Sequence, residues 1–269
     1  MLVANARLYA VTPQVGKAWR TLVGHAARES GVPLEYVEHA APASLEMLWR
    51  RRDLGCALMC GFPWATWNSG DLPRPRLLAV PAARGTPVPG TYRTEIVVRA
   101  DSTFHALDDL HGARFAYTTP TSQSGYQAAR ALFAPLARGA PFFRAAVGPL
   151  VTPRAVVDAL ASGDADAGPL DSYWLQLLRL HEPGTALRLR TLTCTPWTAA
   201  PAFVCSGGVD EAVADALARA LCAGGRDPRL AELRATLALA DIVAPDVRAY
   251  ANLERAAHAA DTAGYAILQ

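Results

Sequence analysis

Hydroxyl and amide side chains are concentrated where a predicted strand gives way to a predicted helix. Thr121, Ser122, Gln123 and Ser124 follow the apolar segment 115–117 and stand just before a helical segment. The first turn of a helix leaves backbone N–H groups without intrahelical partners, and the helix dipole is positive there. Such a place binds anions without a lysine or a metal. The cluster therefore indicates an anion-binding turn, although one serine here could serve only as the helix N-cap.

The segment after this turn has the periodicity of a helix with one buried face. Ala129, Leu132, Phe133 and Leu136 recur at the i, i+3, i+4, i+7 spacing. The pattern predicts a helix that runs to about Gly139 and carries the polar turn at its beginning.

The composition is that of a folded protein with little net charge. The chain has 269 residues, 51% of them hydrophobic, which suits two lobes or one large domain and argues against disorder. Its 26 basic and 24 acidic residues give a net charge of +2, and Lys17 is the single lysine among scattered arginines. No basic stripe with interleaved aromatics is present, so nucleic-acid binding is not expected.

The five cysteines do not have the spacing of a metal site. Cys56 and Cys60 lie in one apolar run, where they are expected to be small buried side chains. Cys194 and Cys205 flank a Pro-rich segment and could pair in an exported protein. There is no Walker loop, dinucleotide fingerprint, His-Glu-x-x-His or nucleophile elbow. We expect neither a metal nor a cofactor, and the missing motifs lower the expectation of an enzyme.

No segment approaches the apolar length of a membrane span, and residues 1–7 lack the features of a signal peptide. The sequence therefore predicts a protein that does not span the membrane, and we expect it to be a monomer. It would be cytoplasmic, or periplasmic if an export signal has been removed.

Strands and helices alternate at the start of the chain. The patterns predict a strand at 6–10, a helix from Pro13 to Gly31, a strand at 33–39, a helix at 44–52 and a strand at 56–60. This alternation is typical of right-handed parallel crossovers. Ligands of open α/β sheets lie at the carboxyl ends of strands. Tyr9 and the aromatic turn that holds Phe62 and Trp64 are therefore expected to face a ligand.

The pattern restarts after a Pro- and Gly-rich loop at 73–90. Later segments predict a strand from Tyr92, a helix at 102–110, strands at 114–118 and 142–147, and helices at 210–223, 228–239 and 245–260. We predict an α/β protein of two lobes, each a mixed sheet flanked by helices, with a ligand cleft between them. Lobe 1 would comprise 1–93 and 202–269, and lobe 2 would comprise 94–201. The hinge crossings would lie near 92–95 and 196–201.

Several short blocks together resemble the phosphate/phosphonate-type substrate-binding proteins of ABC transporters. Their order and spacing match over residues 6–206, and the turn Ser122-Gln123-Ser124-Gly125-Tyr126 is the most specific block. The other blocks are Tyr92-Arg-Thr-Glu-Ile-Val-Val-Arg99, Leu107-Asp-Asp-Leu-His-Gly112, Gly163-Asp-Ala-Asp166 and Leu170-Asp171. The resemblance implies the type II periplasmic-binding-protein fold, whose two lobes close on a small ligand by a hinge motion. It also implies that an exported protein would have an ABC permease as its partner.

The resemblance further implies which residues meet the ligand. Ser122, Gln123, Ser124 and Gly125 would hold the acidic group of a small anionic or zwitterionic molecule. Tyr92 and Asp171 match positions that usually face the ligand in the family, where the aspartate can meet an amine. Without the resemblance, Asp171 is more typical of a helix N-cap. Independently of the resemblance, the places of several aromatic residues predict that they wall the same site, namely Tyr9, Phe62, Trp64, Tyr126 and Trp197.

The chain departs from the family at one place. Family members often carry a Gly-x-His block before the helix that leads to the aspartate, but residues 147–153 contain no histidine. Charge-assisted hydrogen bonds are strong. The loss of such a donor therefore favours a less charged or organic ligand over a fully charged phosphate or phosphonate.

Two other functions are compatible with the same fold. An enzyme of the thiamine-pyrimidine or menaquinone-pathway type would need a reactive side chain, for which Asp171, Tyr92 or a cysteine qualifies. A cytoplasmic ligand-sensing protein related to the effector modules of LysR-type regulators would need a separate partner, since no helix-turn-helix is attached. We expect a solute-binding protein that performs no chemistry.

Overall fold

Thirteen strands and ten α-helices follow one another along the chain, and the computed structural model describes all 269 residues. The strands are β1 Leu2–Asn5, β2 Leu34–Tyr36, β3 Leu54–Met59, β4 Arg76–Ala83, β5 Thr91–Tyr92, β6 Thr94–Arg99, β7 Arg114–Ala116, β8 Ala145–Val147, β9 Ala167–Asp171, β10 Leu189–Cys194, β11 Thr198–Ala199, β12 Ala202–Cys205 and β13 Leu239–Val243. The helices are α1 Pro13–Ser30, α2 Leu45–Trp49, α3 Gly61–Ala65, α4 Ala128–Ala137, α5 Pro153–Ser162, α6 Ser172–His181, α7 Pro183–Ala186, α8 Glu211–Gly224, α9 Ala231–Thr236 and α10 Val247–Thr262. None of these helices combines the length and the apolar composition needed to cross a bilayer.

The chain forms two compact units, of which unit 1 comprises Met1–Thr91 and Ala199–Arg248. Its six-stranded sheet has the order β13-β4-β12-β3-β1-β2. β1 is parallel to β2 and β3, whereas β12 is antiparallel to its neighbours β3 and β4. Every residue of β3 is buried, as expected for a strand in the middle of a covered sheet.

Unit 2 comprises Tyr92–Thr198 and Ala249–Gln269. Its five-stranded sheet has the order β10-β6-β9-β7-β8 and is also mixed, since β7 is parallel to β8 and β9 while β6 is antiparallel to β9 and β10. Phe115 of β7 packs edge-on against Phe133 of α4, with ring centroids 5.4 Å apart, and both rings contact Phe143. This aromatic core fixes the strand and the helix that flank the polar turn. The predicted α/β class with two mixed sheets is confirmed.

Helix boundaries follow from local capping chemistry. Thr12 Oγ1 accepts a hydrogen bond from Val15 N at the start of α1, and Pro13 occupies the first helical position. Gly31 ends the same helix with φ +70°, a conformation that favours glycine. Both boundaries agree with the prediction from sequence.

Some predicted elements are wrong. The strand expected at 6–10 lies earlier, as β1, and Arg7–Tyr9 forms a 3-10 turn in which Asn5 Oδ1 accepts from Arg7 N. The helix expected at 102–110 is reduced to a single turn, Asp108–Leu110. Asp109 Oδ2 accepts from the amides of His105 and Ala106, which competes with the helical hydrogen bonds of this segment.

Two strands of unit 1 were not predicted. β4 lies inside the segment interpreted as a loop at 73–90, where Pro81 and the flanking Pro and Gly residues hide the strand pattern. β13 lies in the tail interpreted as helical, and it pairs antiparallel with β4. A short, largely apolar segment such as Leu239–Val243 does not distinguish a strand from part of a helix.

The C-terminal segment also differs from the predicted domain boundaries. Residues 249–269 belong to unit 2, whereas the sequence patterns assigned the whole tail to lobe 1. Ala260, Tyr265 and Leu268 are buried in the same cluster as Phe133. Helical periodicity identifies the buried face of a helix but not the element that covers it. Hinge motion near residues 92–95 and 196–201 stays a prediction.

Candidate functional site

The polar turn of unit 2 is a π-helical turn, Gln123–Gln127, that continues directly into α4. Ser122 is its N-cap, because Ser122 Oγ accepts a hydrogen bond from Gly125 N at 3.0 Å. Gln127 N donates to Ser122 O at 3.0 Å and closes the wide turn. Single π turns inside helices occur frequently at functional sites. The sequence predicted a helix beginning here, but not its π geometry.

Thr94, the first residue of β6, connects the turn to the sheet. Its Oγ1 donates to Ser124 O at 3.3 Å, and its amide donates to Thr195 Oγ1 at 2.9 Å. Thr94 is also the antiparallel partner of Asp171 in β9. The structure thus brings together Ser122, Gln123, Ser124, Gly125 and the carboxyl end of β9.

Thr118 is a residue of this site that the sequence did not indicate. Its Oγ1 is buried without a hydrogen-bond partner, and its amide donates to Gly125 O at 3.2 Å. A Cβ built on Gly125 would lie 2.0 Å from Thr118 Oγ1 and 2.9 Å from Ser122 Oγ. Only glycine, which has no Cβ, leaves room for the Thr118 and Ser122 hydroxyls beside the Cα of residue 125. The only sequence signal was a threonine shortly after β7 together with a glycine near the beginning of a helix.

Asp171 is buried at the end of β9 and caps α6. Its Oδ1 accepts from Tyr173 N at 2.8 Å and from Trp174 N at 3.0 Å. Burial and then the nearby Asp171 carboxylate raise the pKa of Tyr173 well above its usual value. The cap is therefore present, and contact of Asp171 with a ligand stays a prediction.

Three aromatic residues predicted to meet a ligand lie in unit 2. Tyr92 is buried in β5. Trp197 is 37% exposed, and the Arg93 guanidinium lies 4.8 Å from its ring centroid. The Tyr126 ring packs edge-on against Tyr117, and its hydroxyl accepts from Leu268 N at 2.9 Å. The Tyr126 side chain thus has an evident structural role within unit 2.

The other three aromatic residues lie in unit 1. Tyr9 is buried and stacks on Trp19 at a centroid distance of 6.3 Å. Phe62 and Trp64 belong to α3 rather than to the predicted turn. Trp64 Nε1 donates to Pro75 O at 2.7 Å, and its side chain lines a groove of about 370 Å³ beside α8. No comparison or contact assigns these side chains to a ligand, so their binding role stays a prediction.

The segment without the family histidine runs beside Thr118. Leu150 N donates to Tyr117 O and Val151 N donates to Thr118 O, both at 3.0 Å. A Cβ on Gly148 would lie 2.7 Å from Tyr117 O, so the backbone at this position is tightly packed. This segment supplies backbone contacts to the site and no titratable donor.

The cysteines form no disulfide. All five are free, including Cys194 and Cys205, whose pairing the sequence had left open. Cys56 and Cys60 are buried, as predicted. Burial raises the pKa of Cys205 to about 11 and that of Cys56 further, which disfavours the thiolate forms of both.

The fold is shared with solved binding proteins of low sequence identity. A binding protein component of an ABC phosphonate transporter from Pseudomonas aeruginosa superposes with a TM-score of 0.80 at 15% identity, covering 97% of this chain and 87% of that chain. PhnD1 from Prochlorococcus marinus, in complex with methylphosphonate, has a TM-score of 0.76 at 14% identity, covering 97% and 98%. A Xanthomonas citri protein bound to ATP has a TM-score of 0.67 at 18% identity, covering 97% of each chain. No curated protein sequence matches the chain.

The family model for the periplasmic substrate-binding protein of ABC phosphonate transporters matches residues 10–250. This range covers most of both units and every residue of the polar turn, and it ends before residues 251–269 of unit 2. The family consists of transport proteins that bind a small solute and work with a permease, and an enzyme is not favoured. The chain therefore belongs to the family of periplasmic substrate-binding proteins of ABC phosphonate transporters.

Proposed function

We propose that this protein binds a small phosphonate-like anion at the turn formed by Ser122–Gly125 and delivers it to an ABC permease. The observation that carries the proposal is the buried Thr118 Oγ1, which has no partner although it lies against Gly125 at the beginning of a helix. Buried hydroxyls without partners are rare and costly, so a ligand oxygen that bonds to this group would be favoured. The Ser124 hydroxyl, which makes no hydrogen bond within the protein, would be a second donor.

The charge around the turn favours a singly charged ligand group. The N-terminus of a helix carries the equivalent of about half a positive charge. Arg130, the cation nearest along the chain, is only 3% exposed and is paired with Asp261. Segment 147–153 adds no histidine. A phosphonate monoanion therefore suits the turn itself, since neither the turn nor segment 147–153 supplies a cation for a second charge.

We also propose that Asp171 binds the end of the ligand opposite its acidic group. Its carboxylate is buried and its partner across the sheet, Thr94, bonds to Ser124 O. An amine on the ligand would pair with this carboxylate, and a zwitterionic aminoalkylphosphonate would bind at both ends. Tyr92 and Trp197 would then contribute apolar surface to the same ligand.

The test is calorimetric titration and thermal unfolding with a panel of anions. Methylphosphonate, 2-aminoethylphosphonate, phosphate, methanesulfonate and acetate separate charge, shape and the amine. Ligand at 100 times its Kd should add about 2.7 kcal/mol to the free energy of unfolding. We expect the two phosphonates to stabilise the protein most, with weaker binding as the pH rises and the second phosphonate proton is lost.

Two serine variants make the test specific to the turn. Ser124→Ala should weaken phosphonate binding about tenfold, the effect of about 1.4 kcal/mol of lost hydrogen bonding. Ser162→Ala is the matched control, because Ser162 Oγ bonds only to Ala159 O and Asp164 at the end of α5. The proposed site would be refuted if none of the anions stabilised the protein at millimolar concentration. It would also be refuted if Ser124→Ala and Ser162→Ala bound the phosphonates equally well.

The compartment and the partner are part of the same proposal. We place the protein in the periplasm, docked to a permease in its ligand-bound form. Fractionation of cells that express the natural gene should recover it in the periplasmic fraction. Crosslinking in the presence of methylphosphonate should capture a membrane permease, and recovery in the cytoplasm alone would contradict this assignment.

A further inference from the structure

A single buried arginine connects the C-terminal segment to the polar turn of unit 2. Arg130, in the first turn of α4, forms an ion pair with Asp261 of α10. Its Nη2 donates to Ala257 O at 2.9 Å, and its Nη1 donates to Tyr265 O and Ala266 O, both at 3.1 Å. The guanidinium therefore organises residues 257–266 around itself.

The same guanidinium also holds the last residue of the π turn. Arg130 Nε and Nη2 donate to Gln127 Oε1 at 3.0 and 2.8 Å. Gln127 Nε2 in turn donates to Pro120 O at 2.7 Å, and Gln127 N donates to Ser122 O. A continuous chain of hydrogen bonds thus runs from α10 through Arg130 and Gln127 to Pro120 and Ser122, just before the turn.

A second connection is independent of Arg130. The Tyr126 hydroxyl accepts from Leu268 N at 2.9 Å, while the Tyr126 ring packs on Tyr117. Leu268 and Tyr265 are buried in the core cluster of unit 2. Residues 257–268, which we call the C-terminal brace, therefore contact the turn directly at Tyr126 and, through Arg130, at Gln127.

We propose that the C-terminal brace holds the π turn in its anion-binding geometry, with Arg130 and Tyr126 as positioning residues. π turns are less favourable than α-helix, so the turn needs outside contacts to persist. Donors aimed at an anion must be held to within about 0.5 Å, which requires supporting residues with locked side chains. The brace supplies such contacts without touching the ligand. This proposal rests on the proposed function, because the turn is the anion site.

Two variants separate positioning from folding. Arg130→Lys keeps the charge but loses the planar fork that reaches Gln127 and the brace together. Tyr126→Phe keeps the ring and removes only the acceptor for Leu268 N. Each should weaken methylphosphonate binding about tenfold in calorimetry at a temperature well below unfolding. The fold-loss of affinity in the double variant should be smaller than the product of the two single fold-losses, because both substitutions act through the same turn.

The matched control is Arg114→Lys, which alters another arginine–carboxylate pair of unit 2, Arg114 with Asp166. It should lower the unfolding temperature and change the methylphosphonate Kd less than about twofold. Equal loss of affinity in Arg114→Lys, or wild-type affinity in Arg130→Lys and Tyr126→Phe, would overturn the proposal.

Hydrogen exchange in the absence of ligand distinguishes this proposal from the proposed function. In Arg130→Lys, peptides that cover 122–127 should exchange faster while peptides of β6 and β9 keep their protection. Unchanged exchange at 122–127 overturns the brace whatever the protein binds. Faster exchange at 122–127 in a protein that binds no anion supports the brace and refutes only the anion site.

Discussion

Gly125→Ala is the most direct test of the turn, because glycine is required there by contact rather than by backbone conformation. The added Cβ would lie 2.0 Å from Thr118 Oγ1 and 2.9 Å from both Thr118 Cβ and Ser122 Oγ. Rotation of Thr118 about χ1 relieves the first contact, but the contact between the two Cβ atoms needs a backbone shift. Overpacking of this kind costs about 1–3 kcal/mol, and the fixed Cβ places this site in the upper part of that range.

The helical preference of alanine offsets part of this loss. Alanine is favoured over glycine by about 1 kcal/mol inside a helix. We therefore expect a net loss of about 1–2 kcal/mol in the free energy of unfolding, since the clash exceeds the helical gain. Each kcal/mol lowers Tm by about 2–4 °C in a protein of this size, which calorimetry resolves easily. Methylphosphonate affinity should fall as well, because the shift displaces Ser122 and Ser124.

The control is Gly184→Ala in α7, where an added Cβ meets no atom within 4 Å. That variant should be neutral or more stable by about 0.4–1 kcal/mol. Combining Gly125→Ala with Thr118→Ala removes the 2.0 Å contact, so the pair should lose less stability than the sum of the single variants. A Gly125→Ala protein with wild-type Tm and wild-type affinity would refute the packing argument.

Three further perturbations follow from the contacts around the site. Asp171→Ala should cost about 1 kcal/mol of unfolding free energy through loss of the α6 cap, measured by urea titration, whereas Asp171→Asn should retain most of it. The Arg114 hydrogen bonds hold the pKa of Asp166 below its usual value, so that the unfolded chain binds more protons near pH 4. The stability advantage of the wild type over Asp166→Asn should therefore be constant above about pH 5 and shrink as the pH falls below about 4, and a constant difference down to pH 3 would contradict it. In the native protein at pH 8, iodoacetamide should modify the half-buried Cys194 and Cys222 before the buried Cys56 and Cys205, as read by peptide mass spectrometry.

Local chemistry made much of the fold predictable. Thr12, Pro13 and Gly31 mark the ends of α1, because capping depends on neighbours in sequence. The alternation of strands and helices likewise indicated parallel pairing around β1 and β7. β4 and β13 were missed because each depends on its partner strand more than on its own residues.

The site was predictable only in part for a similar reason. Ser122 and Asp171 cap helices that begin at the predicted places, so their positions follow from sequence. Thr118 contacts Gly125 only once the unit is folded, and the partners of Arg130 are distant in sequence. The Arg130 partners at 257–266 lie more than 120 positions away, and no local pattern marks that pairing.

Arg130 is buried among partners within unit 2 and is therefore not available to pair with a ligand anion. A cation in the first turn of α4 could have supplied the positive charge that the absent histidine does not. Its guanidinium is instead used by Asp261, by three carbonyls of the brace and by Gln127. Removing a buried partner from such a network costs about 3–5 kcal/mol, so a ligand anion could not recruit Arg130 without losing more than it gains. The proposed brace would thus hold the turn and leave it weakly charged at once, both through the same side chain. An anion site of the kind we propose would select its ligand by the directions of hydroxyl and amide donors more than by net charge.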